Sequence, residues 1–287
     1  MYALEVKNLS KHFDNFSLKN INFNLEKGYI MGYVGQNGAG KTTTIKLITR
    51  QLKTKEGDIK LFGKTYSSDP IGYKDLIGYI SDEFYFPFDF KIKDVEDVLA
   101  DFYPSFNSKK FNEFIKKWNL PQNKKVKDFS KGMKVKLMFA GVLSRDTKLL
   151  ILDEATSGLD PVIRCDILEI LQDYIKDGER SVLFSTHIMD DLEQIADFIF
   201  FIDDGKKVFC DSVDNILEDY KMIKGGLDDL SDYLKDNFIG YSRNKLSFKG
   251  IIKSKCLENI DTNNILIEKP TINDIVVYNI KGKRGNI

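Results

Sequence analysis

The octapeptide GQNGAGKT, Gly35 to Thr42, has the form G-x-x-x-x-G-K-T: glycines that let a backbone wrap an anion, then a cation and a hydroxyl. Gly35, Gly38 and Gly40 free successive N–H groups to point inward at a phosphate, and a helix starting at Lys41 adds the positive end of its dipole. Lys41 would neutralise β and γ phosphate oxygens. Thr42 would offer its hydroxyl to Mg2+, which keeps several waters and needs few protein ligands. The pattern is not G-x-G-x-x-G, so a dinucleotide is disfavoured. A second pair closes the apolar run LLILDE, where Asp153 would reach the Mg2+ shell and Glu154 would serve as general base or water-orienting residue. His187, just past SVLFST, ends a third apolar run in the same manner.

Those residues need strands that end together. YIMGYVG, from Tyr29, reads as a buried strand running into the helical pattern TTTIKLITRQL. LLILD is followed by VIRCDILEILQDYIK, SVLFSTH by IMDDLEQIAD, and FIFFID resembles a further strand. Such alternation predicts a parallel α/β core in which the strands before Gly35 and Glu154 are expected to be neighbours. Period-two runs at Leu4 and Val6, Phe16 and Leu18, Ile21 to Leu25, and Ile59 and Leu61 predict antiparallel strands around it. Val95 to Leu143, broken by Pro104 and Pro121, reads as a helical insert over about residues 90–145. After Ser212 the composition shifts to Lys, Asp, Asn and Ile, so residues 1–212 and 213–287 are expected to be separate modules. PTINDIVVY, Pro270 to Tyr278, predicts a helix with Thr271 as N-cap, Asp274 three residues on, and Ile272, Ile275 and Val276 on one face. It suits a short docking helix, for dimer stabilisation or regulation, or a solvated extension.

Composition removes several alternatives. The 287 residues carry 43 basic and 43 acidic side chains, which argues against nucleic acid as a whole-surface partner, with a local basic cluster at Lys281 to Arg284. Three scattered cysteines and two histidines give no metal-ligand spacing and suit a reduced, cytoplasmic scaffold. No N-terminal signal pattern is evident, and no apolar run approaches the roughly 20 residues that cross a bilayer. A membrane role would need a partner.

Together GQNGAGKTT, FSKGM (Phe129 to Met133), LLILDE, SGLD (Ser157 to Asp160) and His187 resemble, in order and spacing, the ATP-binding subunits of ABC transporters over about residues 1–212. The resemblance implies a P-loop NTPase core with a parallel sheet, an N-terminal antiparallel β subdomain, a helical insert and a small C-terminal extension. It implies ATP and Mg2+ as cofactors, with Gly35, Gln36, Asn37, Gly38, Ala39, Gly40, Lys41, Thr42 and Thr43 around the phosphates. Thr42 and Asp153 would hold the metal, and Glu154 and His187 would act in hydrolysis. FSKGM stands where the family has LSGGQ, keeping Ser130 and Gly132 and departing at Phe129, Lys131 and Met133. That loop starts a helix that caps ATP held by the other subunit, so two subunits sandwich two nucleotides; Lys131 would face phosphate or be solvated. Asp160 resembles the aspartate that couples the two sites, and Phe13 the aromatic that stacks on adenine, for which any ring suffices.

The family's strand resembling IGYIS ends in a glutamine that reaches metal and water; here Asp82 takes that place, or Glu83 with a one-residue shift. The aromatics that follow, Phe84, Tyr85, Phe86, Phe88 and Phe90, would divide between the core and a groove for a transmembrane permease, with Phe86 and Phe88 facing the partner. The tail and SKGM are similar to a bacterial exporter-type subfamily, bacitracin-resistance and YtrB-like. The expected function is ATP hydrolysis by a homodimer, peripheral on the inner face of the cell membrane, that drives a separate permease exporting a small molecule, lipid or peptide antibiotic. The alternative is a soluble ABC ATPase acting on ribosomes or DNA; those relatives carry two cassettes or a long coiled coil, and this chain has one cassette and a compact insert.

Overall fold

The computed structural model describes residues 1–260 and 264–283; Arg284, the end of the basic cluster, lies outside the described residues. The period-two segments form β1 (Tyr2–His12) and β2 (Ser17–Glu26), an antiparallel pair whose register sets Leu4 against Leu25, Val6 against Phe23 and Leu9 against Ile21. One face of the ribbon is therefore apolar. Strand β3 (Ile30–Val34) is buried at every position and leads through the glycine loop into α1 (Lys41–Ile48). β4 (Glu56–Leu61) and β5 (Lys64–Thr65) then complete a four-stranded antiparallel sheet in the order β2-β1-β4-β5.

After α2 (Pro70–Asp75), capped by Asp69 with Pro70 in its first turn, the chain enters β6 (Ile77–Ser81). The insert follows as α3 (Ile92–Phe102), α4 (Ser108–Lys117) and α5 (Lys131–Leu143). Then come β7 (Leu149–Asp153), α6 (Pro161–Ile175), β8 (Ser181–Ser185), α7 (Met189–Ile195), β9 (Phe198–Asp203) and β10 (Lys206–Ser212). The central sheet runs β10-β9-β3-β8-β7-β6, parallel throughout except for β10. The strands that precede Gly35 and Glu154 are therefore not neighbours. β8 lies between them, because spatial order in a parallel sheet is set by how the crossovers pack and not by sequence order. Both faces are covered: Leu149 and Ile151 of β7 join the antiparallel sheet and α1, while Leu150 and Leu152 join the insert, α6 and α7.

Arg145, 6% exposed, joins insert to sheet. Its guanidinium lies 3.5 Å from the Tyr103 ring centroid, and Nη2 donates to the carbonyls of Lys74, Asp75 and Ile77 at 3.1 to 3.2 Å. It thereby satisfies orphan carbonyls at the end of α2.

Beyond Ser212, α8 (Val213–Asp219), β11 (Tyr220–Gly226), α9 (Asp232–Asn237), β12 (Gly240–Arg243), β13 (Ser247–Lys253), β14 (Ile265–Glu268) and α10 (Ile272–Lys283) build a second sheet in the order β12-β13-β11-β14. A small cluster of Ile223, Leu234, Phe238, Phe248 and Ile252 belongs to this segment. Its other apolar residues, including Met222, Ile251, Ile272, Ile275 and Val276, are continuous with the main cluster. Thr271 and Asp274 make the expected reciprocal cap, and α10 docks on its own chain, against β12, β13, α7 and α8.

The aromatic run divides, though not as expected. Phe88 is 57% and Tyr85 46% exposed, whereas Phe86 is 7% exposed and belongs to the core. Phe86 contacts the Phe84 and Tyr85 rings at centroid distances of 5.6 and 4.8 Å, and Pro87 turns the chain so that the next ring leaves the interior. Phe86→Ala is expected to destabilise the chain by about 3 kcal/mol, the usual scale for a buried ring; urea unfolding with a loss under about 0.5 kcal/mol would return Phe86 to the surface.

Candidate functional site

Gly35 and Gly40 show why the loop needs glycine. A Cβ on Gly35 would lie 2.4 Å from the Ile202 carbonyl oxygen, and Gly40 has φ 113°, a left-handed conformation that side chains rarely adopt. Gly40 is also the N-cap of α1, which has no side-chain cap and no acid in its first turn. The helix thus begins with N–H groups that no carboxylate claims, the arrangement an anion uses. Lys41, 6% exposed, curls back so that Nζ donates to Gly35 O at 2.8 Å and lies 3.4 Å from Glu154 Oε1.

The sheet register assembles the acids. Ser81 of β6, Asp153 of β7 and Ser185 of β8 are direct partners, so the chain leaves three adjacent strands at one level. There Asp82 N donates to Asp153 O at 3.0 Å and Glu154 N to Ser185 O at 2.9 Å. Asp153 is 5% exposed and its Oδ1 has no hydrogen-bond partner. Burial raises its pKa; the Thr42 and Ser185 hydroxyls oppose the shift, while the charges of Glu154 and Asp82 add to it. A buried carboxylate oxygen held unpaired beside a hydroxyl is a hard-oxygen donor set, and one carboxylate with one hydroxyl is enough for Mg2+ when phosphate and water supply the rest. Among the described residues no three His, Cys, Asp or Glu side chains gather as a protein-only metal cage.

Glu154 has φ 56°, strained for a side chain other than glycine, and this turn aims its carboxylate across to His187, whose Nδ1 lies 2.5 Å from Oε2. The same carboxylate therefore faces both Lys41 and His187. Behind it Asp191, 2% exposed, accepts from Thr156 Oγ1 at 3.1 Å and pairs with Arg164 Nε at 3.3 Å. Ser185, Thr156, Asp191 and Arg164 are supporting residues that the sequence reading missed. Ser185 had a signal, a polar residue ending an apolar strand as Asp153 does.

A cavity of about 780 Å³ opens here, lined by Thr42, Ser81, Asp82, Asp153 and Glu154 at one end and by Tyr85, Leu99, Tyr103 and Arg145 at the other. Asp82 and Glu83 both line it, and both are exposed. Ser130, Lys131, Gly132, Met133 and Asp160 do not line it. Ser130 caps α5 by accepting from Met133 N at 3.2 Å, and Asp160 caps α6 by accepting from Ile163 N at 3.0 Å. The two helix starts touch: a Cβ on Gly132 would meet Ile163 Cδ1 at 2.4 Å, and Lys131 Nζ lies beside Gly158. Phe129, 5% exposed, anchors this corner in the core. Phe13 is 43% exposed in the turn between β1 and β2, with Lys11 Nζ 5.7 Å from its ring centroid.

A glycine loop between a buried parallel strand and a helix, facing two carboxylates at nearby strand ends, defines a P-loop ATPase. Residues 18–157 match the ABC transporter family. The chain is 30% identical over 227 residues to the ABC transporter ATP-binding protein YtrB of Bacillus subtilis (strain 168), covering 78% of this chain and 77% of that one. It is 30% identical over 210 residues to the bacitracin transport ATP-binding protein BcrA of Enterococcus faecalis, covering 72% and 68% respectively. A solved ATP-binding subunit of an ABC transporter superposes with a TM-score of 0.69 at 26% identity, covering 75% of this chain and 91% of that one. The chain belongs to the ATP-binding subunits of ABC transporters, and it is an ABC-type ATPase.

The buried carboxylate yields a stability test. Burial raises Asp153 in the folded chain, so folding loses stability as pH climbs from the unfolded carboxylate value to the raised folded one, and above both the ionised group is a standing cost. Asp153→Asn is therefore expected to raise the nucleotide-free, metal-free Tm at neutral pH by about 2 °C while abolishing hydrolysis; a clear fall in Tm by calorimetry would contradict this.

Proposed function

We propose that this ATPase pairs with a second ATP-binding subunit, a further copy of itself, around two ATP molecules with Mg2+, and drives a separate transmembrane permease that exports a small molecule, lipid or peptide antibiotic. In this reading Glu154 accepts a proton from the attacking water as its oxygen bonds the γ-phosphorus, and the bond to the β-phosphate oxygen breaks to release ADP and phosphate. His187 orients the Glu154 carboxylate. Lys41 and the free N–H groups of α1 hold the phosphates. Thr42 and Asp153, with Asp82 nearby, would hold Mg2+, which would neutralise phosphate charge.

The observation that carries the coupling is the cavity itself, which runs from the acids to an aromatic wall on the insert. A segment docked against Tyr85 at one end shares a space with the hydrolytic carboxylates at the other. Pairing is supported by Ser130 and Asp160 at the touching starts of α5 and α6, where two helix dipoles suit an anion carried by a second copy. Export is supported by the likeness to a bacitracin transport protein. Among the described residues no helix is long and apolar enough to cross a membrane. In this reading the spanning part is a separate subunit, with this chain peripheral on the cytoplasmic face.

Reconstitution in liposomes with a multi-span permease that co-purifies with the chain tests the reading. The permease is expected to stimulate ATP hydrolysis, and Phe88→Ala, at an exposed ring beside Phe84 of the cavity lining, is expected to keep basal turnover within about twofold while losing most of that stimulation, since aromatic rings concentrate interface energy. No stimulation of the wild-type chain, or equal stimulation of the variant, would contradict the coupling surface.

A further inference from the structure

Helix α7 is seven residues long, too short to hold its own orientation, and His187 lies two residues before it. Its N-cap residue Ile188 makes no side-chain cap. Tertiary contacts must therefore aim the imidazole. On the cassette side Asp191 reaches Thr156 and Arg164, and Leu192 and Ile195 are buried. On the other side Glu193 Oε1 accepts from Ile272 N at 2.7 Å and Asn273 N at 3.3 Å, the first two N–H groups of α10. These are among the donors every helix start leaves unpaired, and a carboxylate there also meets the positive end of the dipole. Thr271 and Asp274 satisfy each other's N–H groups, so α10 has one cap from its own turn and a second lent by α7. Ile272, Ile275 and Val276 pack in the same cluster as Leu192 and Ile195, which leaves the two helices in a single seating.

We propose that Glu193 is a positioning residue for ATP hydrolysis: by holding the start of α10 it fixes α7 and sets His187 against Glu154. The C-terminal module thereby acts on the hydrolytic pair and not on the phosphate loop. The Glu193 carboxylate is engaged with the start of α10 and not with the phosphate loop, so its loss lowers kcat and spares KM. The inference rests on the reading of His187 and Glu154 as the hydrolytic pair.

The test is steady-state ATP hydrolysis by the full chain with Mg2+, for Glu193→Ala and Glu193→Gln, each alone and combined with His187→Ala. Glu193→Ala is expected to lower kcat roughly 3- to 30-fold, the range for contacts that transmit coupling, with KM within about twofold. Glu193→Gln keeps the shape of the side chain and loses less. In the His187→Ala background neither variant loses more than about twofold further, because the contact acts through the imidazole. Equal losses in both backgrounds, or no loss in the wild-type background, would overturn the proposal while leaving the hydrolytic pair intact. Full turnover by His187→Ala alone would instead sink the reading of the pair on which the proposal stands. Should Glu193→Ala fail to fold, the Glu193→Gln cycle decides alone.

Discussion

A one-residue slip between β7 and its neighbours would dismantle the site. Side chains alternate along a strand, so a shift of one position turns Asp153 from the cavity to the opposite face and moves Glu154 from the level of Ser185. The register is held because both faces of β7 are buried: Leu149 and Ile151 pack on one side and Leu150 and Leu152 on the other. Slippage would offer Asp153 to a hydrophobic cluster. The same apolar core that stabilises the sheet therefore sets the level of the acids, and the chemistry depends on packing several residues away.

That rigid edge meets a second body. The insert touches the sheet through Arg145, whose planar cation stacks on Tyr103 and donates to carbonyls at the end of α2, so one side chain spans both parts. The cavity lies along this seam, with acids on the sheet side and rings on the insert side. Glu154 adds strain at the same place, since its left-handed backbone is tolerated only where surrounding structure imposes it. A site built from adjoining, differently anchored parts can respond when either part is moved.

Much of this was legible in the residues. The spacing of Gly35, Gly40, Lys41 and Thr42 is short-range chemistry that fits one local shape, and period-two and helical patterns located the strands and helices around it. Thr271 and Asp274 likewise announce a helix start through a cap of three residues. What stayed hidden depends on distant contacts. Nothing in the sequence shows that β8 comes between β3 and β7, because the crossovers decide strand order. Phe86 and Phe88 are the same residue type two positions apart, and only the turn at Pro87 separates core from surface. Glu193 is an ordinary helix acid until α10, nearly eighty residues later, meets it.

The central claim is that Glu154, held at the strand end between Lys41 and His187, carries out hydrolysis without being needed to bind nucleotide. Glu154→Gln preserves shape and removes only the basic carboxylate, so parallel measurement of ATP affinity and single-turnover hydrolysis with Mg2+ separates the two roles. The account predicts affinity within a few-fold of the wild type and hydrolysis slower by about 10² to 10⁴, the scale for loss of a general base. Hydrolysis at the wild-type rate, or loss of ATP binding in step with turnover, would contradict it.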